Sequence, residues 1–258
     1  AYAARYEPVA LTDARHPRSA RTRAVFAGVA LILAAGLAAL GVWQIERREW
    51  KHALIAAVAT RIHAAPVAAP GPAAWAALTG DKDAYRRVTA QGQFLHDQET
   101  LVQAATDLGS GYWVLTPLRT PQFTVLVNRG FVPPDKRAQA ARPAGNPAGE
   151  VTVTGLLRVS EPGGGFLRAN DPAADRWYSR DVAAIAAKRG LGPVAPYFID
   201  ADAAANPGGY PVGGLTVIRF PDNHMVYAFT WFALALLAGW GAWYVWRSPT
   251  ADRPTADR

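Results

Sequence analysis

Apolar and polar positions are unevenly distributed along this chain. Two runs carry no charge at all, Ala24 to Ile45 and Met225 to Trp246, each 22 residues long and each bounded by charged or titratable side chains. At about 1.5 Å of rise per residue, a helix of that length spans roughly 33 Å, enough to cross a hydrocarbon layer of about 30 Å. The pattern predicts two transmembrane helices. Beyond the first run neither Pro nor Gly intervenes before His63, and Trp50, Leu54, Ile55, Val58 and Ile62 recur at helical spacing, so the helix is expected to continue past the membrane. Ala64 to Gly80, with Pro66, Pro70 and Pro72, reads as an arm over the surface of the domain that follows.

From Tyr85 the period shortens toward two. Strands are predicted at Arg87–Phe94, Thr100–Ala105, Tyr112–Leu118, Phe123–Asn128, Val151–Arg158, Ala195–Ile199 and Leu215–Phe220, rich in Val, Thr, Tyr and Phe and separated by Gly, Pro and Asp. One helix interrupts them, Arg180–Arg189, with Val182, Ile185 and Ala186 on one stripe and Gly190 placed for a left-handed cap. The expected fold is a membrane α-helical hairpin enclosing a mainly antiparallel β, α+β extramembrane domain. Its expected divisions are a tail (1–23), a span (24–45), the β-rich domain (46–224), a second span (225–246) and a second tail (247–258).

Composition changes this picture in two places. Cysteine is absent, which removes disulfides, thiolate chemistry and every metal site built on cysteine sulfur. The net charge of +7 would suggest nucleic acid if it were gathered on one face. Instead residues 1–23 carry five Arg against Glu7 and Asp13, residues 247–258 carry three Arg against two Asp, and the long middle segment is nearly neutral. The excess therefore reports orientation, and no nucleic-acid partner is expected. Arg15, Arg18, Arg21 and Arg23 before the first span, with Arg247 and Arg253 after the second, place both termini in the cytoplasm and the domain outside it. A cleavable signal peptide is the competing reading of residues 18–45; its apolar run is long for that role. High Ala and Arg usage with four Lys favours a bacterial plasma (inner) membrane, with the domain in the periplasm.

Three stretches carry more specific information: Leu40-Gly-Val-Trp-Gln-Ile-Glu-Arg-Arg-Glu-Trp-Lys51 at the mouth of the first span; Val127-Asn-Arg-Gly-Phe-Val-Pro133, followed by Ala169-Asn-Asp-Pro172 and Asp175-Arg-Trp-Tyr178; and Pro221-Asp-Asn-His-Met-Val-Tyr-Ala-Phe-Thr-Trp-Phe232, which opens the second. In this order, between two spans, they resemble the Surfeit locus protein one family of cytochrome c oxidase assembly factors, from about Gly36 to Tyr244. Asp222 stands where Asn is the commoner residue of that pattern. The resemblance implies a non-enzymatic role in maturing a haem-copper terminal oxidase, around insertion of haem a into its catalytic subunit. Haem a synthase and that subunit are then the expected partners, and the alternative is a cofactor-free scaffold for an assembly intermediate.

Within that resemblance His224 is the candidate haem-iron ligand. Imidazole is the commonest protein ligand of haem iron, and a macrocycle needs apolar and aromatic walls. On a helix starting there, Tyr227, Ala228, Trp231 and Ala235 share a face, and Trp43 lies at the same membrane level. The plainer reading makes His224, Trp43, Tyr227 and Trp231 interfacial anchors. Arg129 is a candidate partner for a haem propionate, or else a buried structural ion pair; Gly130 beside it is placed for a positive φ at a strand end. The remaining histidines form no metal pair, Gly163–Gly165 lacks the Lys-Ser/Thr of a phosphate loop, and only Ser110, Ser160 and Ser179 lie in the domain. Ala35 and Ala39, and Ala235 and Gly239, give small-residue spacing suited to close helix packing within the chain or with a partner.

Overall fold

The computed structural model describes residues 19–218, 220 and 222–248. Most of the two expected tails, together with Arg219 and Pro221, lies outside them. The described chain forms two units, one made of residues up to Ala53 together with those from Pro221 onward, the other of Leu54–Phe220.

The first unit is a pair of antiparallel helices, α1 (Ala20–His63, of which the part up to Ala53 belongs here) and α4 (His224–Arg247). Both are long and apolar enough to cross a membrane. A continuous row of covered positions runs along α1 through Arg23, Ala27, Ala30, Ala34, Leu37, Gly41, Gln44 and Arg48, flanked by Thr22, Gly28 and Ala38, and along α4 through His224, Ala228, Trp231, Ala235, Ala238, Ala242 and Val245, flanked by Phe232, Gly239 and Gly241. Steps alternating between three and four average 3.5, the repeat that keeps two helices in contact along a left-handed seam. Small residues let the backbones approach: Ala27, Ala228 and Ala242 are buried, and a Cβ on Gly41 would sit 2.7 Å from the Phe232 ring. The expected small-residue spacing is thus only partly on this seam. Ala235 lies on it, whereas Ala35 and Ala39 are exposed and a Cβ on Gly239 would meet nothing within 4 Å. At the far end Arg23 donates from Nη1 to the carbonyls of Trp246, at 3.4 Å, and Ser248.

The second unit is a mixed sheet in the order β1-β2-β6-β9-β5-β4-β3, and β2 also pairs with β4. Its strands are β1 (Val67–Ala68), β2 (Arg87–Phe94), β3 (Thr100–Thr106), β4 (Gly109–Arg119), β5 (Thr124–Val132), β6 (Glu150–Val159) and β9 (Val194–Ala201). The β2–β4 contact closes β2-β6-β9-β5-β4 into a barrel-like ring. Pairing is antiparallel except at β1–β2 and β5–β9. A separate hairpin, β7 (Gly164–Gly165) with β8 (Arg168–Ala169), projects from the loop after β6, and a short helix α2 (Gly80–Asp83) precedes β2. Helix α3 (Val182–Arg189) starts at Asp181, whose side chain accepts from Ala184 N–H, and ends at Gly190 with φ 61°. Its Val182 and Ile185 pack with Leu126, Phe198 and Trp177 on one side of the sheet; Val88, Leu118, Val125, Val127, Leu157, Tyr197 and Ile199 form the core on the other. The Pro-rich arm carries a 3-10 turn, Pro72–Ala77, whose Trp75 packs on that second core. Leu215–Phe220, predicted as a strand, forms none among its described residues; Thr216 instead turns its hydroxyl to Asp200, donating at 3.0 Å.

Asp200, at 3% exposure, gathers donors from four stretches of chain. Besides Thr216 these are Asn128 Nδ2 at 2.8 Å, Arg158 Nη1 at 2.8 Å and Arg180 Nη1 at 3.2 Å. Arg180 also chelates Glu161 through Nε at 3.0 Å and Nη2 at 2.5 Å. Burial alone would raise the Glu161 pKa; the hydrogen bonds and charge of Arg180, with Arg158 behind them, outweigh it and hold the carboxylate below its ordinary value. Asp200→Asn, which leaves two guanidiniums sharing Glu161, is expected to destabilise the domain by about 3 kcal/mol in denaturant unfolding. In the cysteine-free background, an Ala27→Cys/Ala242→Cys pair should form a disulfide on mild oxidation, seen as a gel shift reversed by reductant. Ala35→Cys/Ala235→Cys should not, because Ala35 faces away from the seam.

Candidate functional site

The N-terminal end of α4 is built by residues of both helices of the first unit. Asp222 Oδ1 accepts from the backbone N–H of His224 at 3.1 Å and so caps the first turn. Its Oδ2 stands 2.6 Å from His52 Nε2 and 3.6 Å from Arg48 Nε, one turn apart on α1. A carboxylate at a helix N-terminus also meets the positive end of the helix dipole. The His52 and His224 hydrogen bonds together hold the Asp222 pKa below the usual aspartate value. Asp at position 222, the departure from the commoner Asn, therefore adds a charge that His52 and Arg48 can use.

His224 is half-buried on the seam, and its Nδ1 lies 2.8 Å from Gln44 Oε1. An amide oxygen only accepts, so Nδ1 is the donor in this contact, and in the neutral ring Nε2 then keeps the lone pair that could ligate a metal. Gln44 is the one polar side chain in the uncharged run of the first span. Of the other candidates, Trp231 joins His224 on the seam. Tyr227 follows one turn after His224 but is 54% exposed, and Trp43, next to Gln44 in the chain, is 53% exposed. The expected common face is thus divided: His224, Ala228, Trp231 and Ala235 pack inward, and Tyr227 and Trp43 turn outward, where a lipid or a flat ligand would meet them. Among the described residues no three His, Cys, Asp or Glu side chains are arranged to hold a metal ion.

Arg129 belongs to the other unit. Its motif lies inside β5 and not at a strand end: Leu115 pairs with Asn128 and Trp113 with Phe131, so β5 carries one residue more than β4, a bulge at Arg129–Gly130. Gly130 has φ 125°, as expected, and a Cβ there would fall 2.1 Å from the Val212 carbonyl oxygen. The guanidinium is buried; it donates to the Gly145 carbonyl and, at 3.5 and 3.4 Å, to the side-chain oxygens of Asn146 and Asn206. The expected structural ion pair is absent among the described residues, these neutral oxygens standing in the place of a carboxylate. Desolvation pushes its pKa down to about 10.

Sequence reasoning missed Gln44, Arg48 and His52. A lone Gln in an otherwise apolar span is the signal that was available for the first; the other two become visible only when α1 and α4 are paired.

An NMR titration of the Asp222 carboxyl should give a midpoint below the ordinary 3.8. Because the shift is downward, the stabilisation it represents is full above the unfolded value and is lost as pH falls through the folded midpoint. His52→Ala should move that midpoint up.

A profile of the SURF1 family matches residues 31–236. Among individual proteins, Surfeit locus protein 1 of Rattus norvegicus is 36% identical over 229 residues, covering 81% of this chain and 72% of its own. The SURF1-like protein of Monosiga brevicollis is 38% identical over 213 residues, 77% of this chain and 78% of its own. Surfeit locus protein 1 of Homo sapiens is 34% identical over 225 residues, 80% and 71%. The match takes in the larger part of each apolar run and the whole sheet domain between them, and with it the chain belongs to the SURF1 family.

Proposed function

We propose that this chain is a membrane-anchored, non-enzymatic assembly factor for the haem-copper terminal oxidase, cytochrome c oxidase. In this reading α1 and α4 span a bacterial inner membrane with both termini in the cytoplasm and the sheet domain in the periplasm. Haem a arrives from its synthase and leaves to the catalytic subunit of the oxidase. Family membership supports the assembly role, and the motif set around His224 supports the haem.

The observation that carries the cofactor assignment is the 2.8 Å contact between His224 Nδ1 and Gln44. A neutral imidazole whose second nitrogen is fixed by an acceptor has the tautomer and ring orientation that iron ligation needs. Haem a would supply the redox-active iron that the oxidase later uses. His224 would hold that iron through Nε2, Gln44 would keep the proton on Nδ1, and Asp222 would fix the backbone from which His224 projects. Tyr227 and Trp43, already exposed, would wall a ring bound at His224 without opening the seam. Arg129, in the other unit, would be a partner for a propionate, and the iron assignment does not depend on it.

Protein purified from cells that make haem a is expected to show a Soret band that His224→Ala removes. Gln44→Leu, which takes away the acceptor and keeps the bulk, should weaken haem retention about 10- to 100-fold, the usual effect of losing an outer-shell partner of a ligating histidine. Full haem content in His224→Ala would reject the ligand assignment. Undiminished co-purification of the oxidase subunit with a haem-free wild-type chain would favour the scaffold.

A further inference from the structure

A cavity of about 180 Å³ opens among β2, β5, β6 and β9, within the sheet domain. Phe94, Val127 and Val153 wall it, and Arg129, Asn206 and Asp202 supply polar groups. It is smaller than the roughly 300–1,000 Å³ of pockets for drug-sized molecules, so it suits a small molecule or the end of a larger one.

Its charge is unbalanced. Arg129 and Arg142 are 3% and 4% exposed. Glu99, the carboxylate whose charge bears on Arg129, is already held by both terminal nitrogens of Arg142. Asp202 is engaged by Arg87 at 2.7 Å. Among the described residues Arg129 makes no ion pair: its polar partners are the Gly145 carbonyl and two Asn side-chain oxygens, and its face lies 4.8 Å over Phe94. One buried guanidinium is thus left without an ion-pair partner of its own at the edge of an apolar cavity, the carboxylate that bears on it being committed to Arg142. A buried charge without a partner is costly, and a carboxylate is the group whose geometry matches a guanidinium fork.

We propose that this cavity binds the carboxylate of a small amphiphilic acid, the head on Arg129 and the apolar tail against Phe94, Val127 and Val153. The site is separate from His224, and each can fail without the other.

The probe is 4-fluorobenzoate, titrated by ¹⁹F NMR into the full chain in detergent at neutral pH, with empty micelles as the blank. One saturable site per chain is expected, with 4-fluorobenzamide binding at least about tenfold more weakly because it lacks the charge. Val151→Trp, which places an indole in the cavity from the half-buried β6 position on the same face as Val153, should abolish binding, as should Arg129→Gln. If Arg129→Gln does not fold, Val151→Trp carries the test. Absence of saturable binding by the wild type up to about 10 mM, equal binding of acid and amide, or binding retained in Val151→Trp would each overturn the site. Competition by protoporphyrin IX but not by its dimethyl ester would make the natural ligand a propionate arm; competition by neither would make it a free small acid.

Discussion

The sheet domain depends on the neutralisation of one buried carboxylate. Asp200 sits near the end of β9, on the same face of the sheet as Phe198, and receives donors from β5, β6, the segment before α3 and the segment after β9. These stretches are far apart in sequence, and each has a different reason to be polar. What unites them is that a carboxylate with 3% exposure needs its oxygens satisfied from every side. Arg158 and Arg180 lie over the Phe198 ring, at 6.0 and 4.7 Å, so the charge network and the apolar packing of β9 share side chains. Two ionic residues can be tolerated beside the core because Glu161 takes the second half of the guanidinium charge.

Much of this architecture was legible in the sequence because periodicity records burial. The predicted β2 has the observed bounds, five other strands were placed within a few residues of their ends, and α3 was marked by its Gly190 cap. Leu215–Phe220 failed because its alternation reflects a segment that lays Thr216 on Asp200, which a hydropathy pattern cannot distinguish from a ladder. The parallel β5–β9 pair was illegible for another reason: pairing direction depends on the route of the chain between strands, and neither strand encodes that route. Helix seams behave likewise. Small residues in α1 and α4 are abundant enough to suggest several interfaces, and only the alternating three-and-four spacing of covered positions identifies the one that is formed.

The candidate haem site shows the same division. Type and position of His224 were readable, since a titratable ring at the head of an apolar run is conspicuous. Its partners were not, because Gln44, Arg48 and His52 approach it and Asp222 only through helix pairing. That pairing also separates two groups of aromatic residues that one helical wheel would merge. Trp231 is committed to the seam, whereas Trp43 and Tyr227 remain available on its outside.

The bulge in β5 has a bearing on how this domain can vary. Asn128 and Arg129 are adjacent, yet one serves the Asp200 cluster and the other the cavity among β2, β6 and β9, because successive side chains of a strand point to opposite faces, and the extra residue that follows resets the alternation for Phe131 and Val132. Chain length is therefore constrained here in a way it is not in the β7–β8 hairpin, whose Phe166 and Leu167 project almost fully into the surroundings. Loss of a single residue at 129–130 would reverse the inside and outside of Phe131 and Val132, so descendants of this chain can lengthen or shorten the hairpin freely while the strand keeps its count.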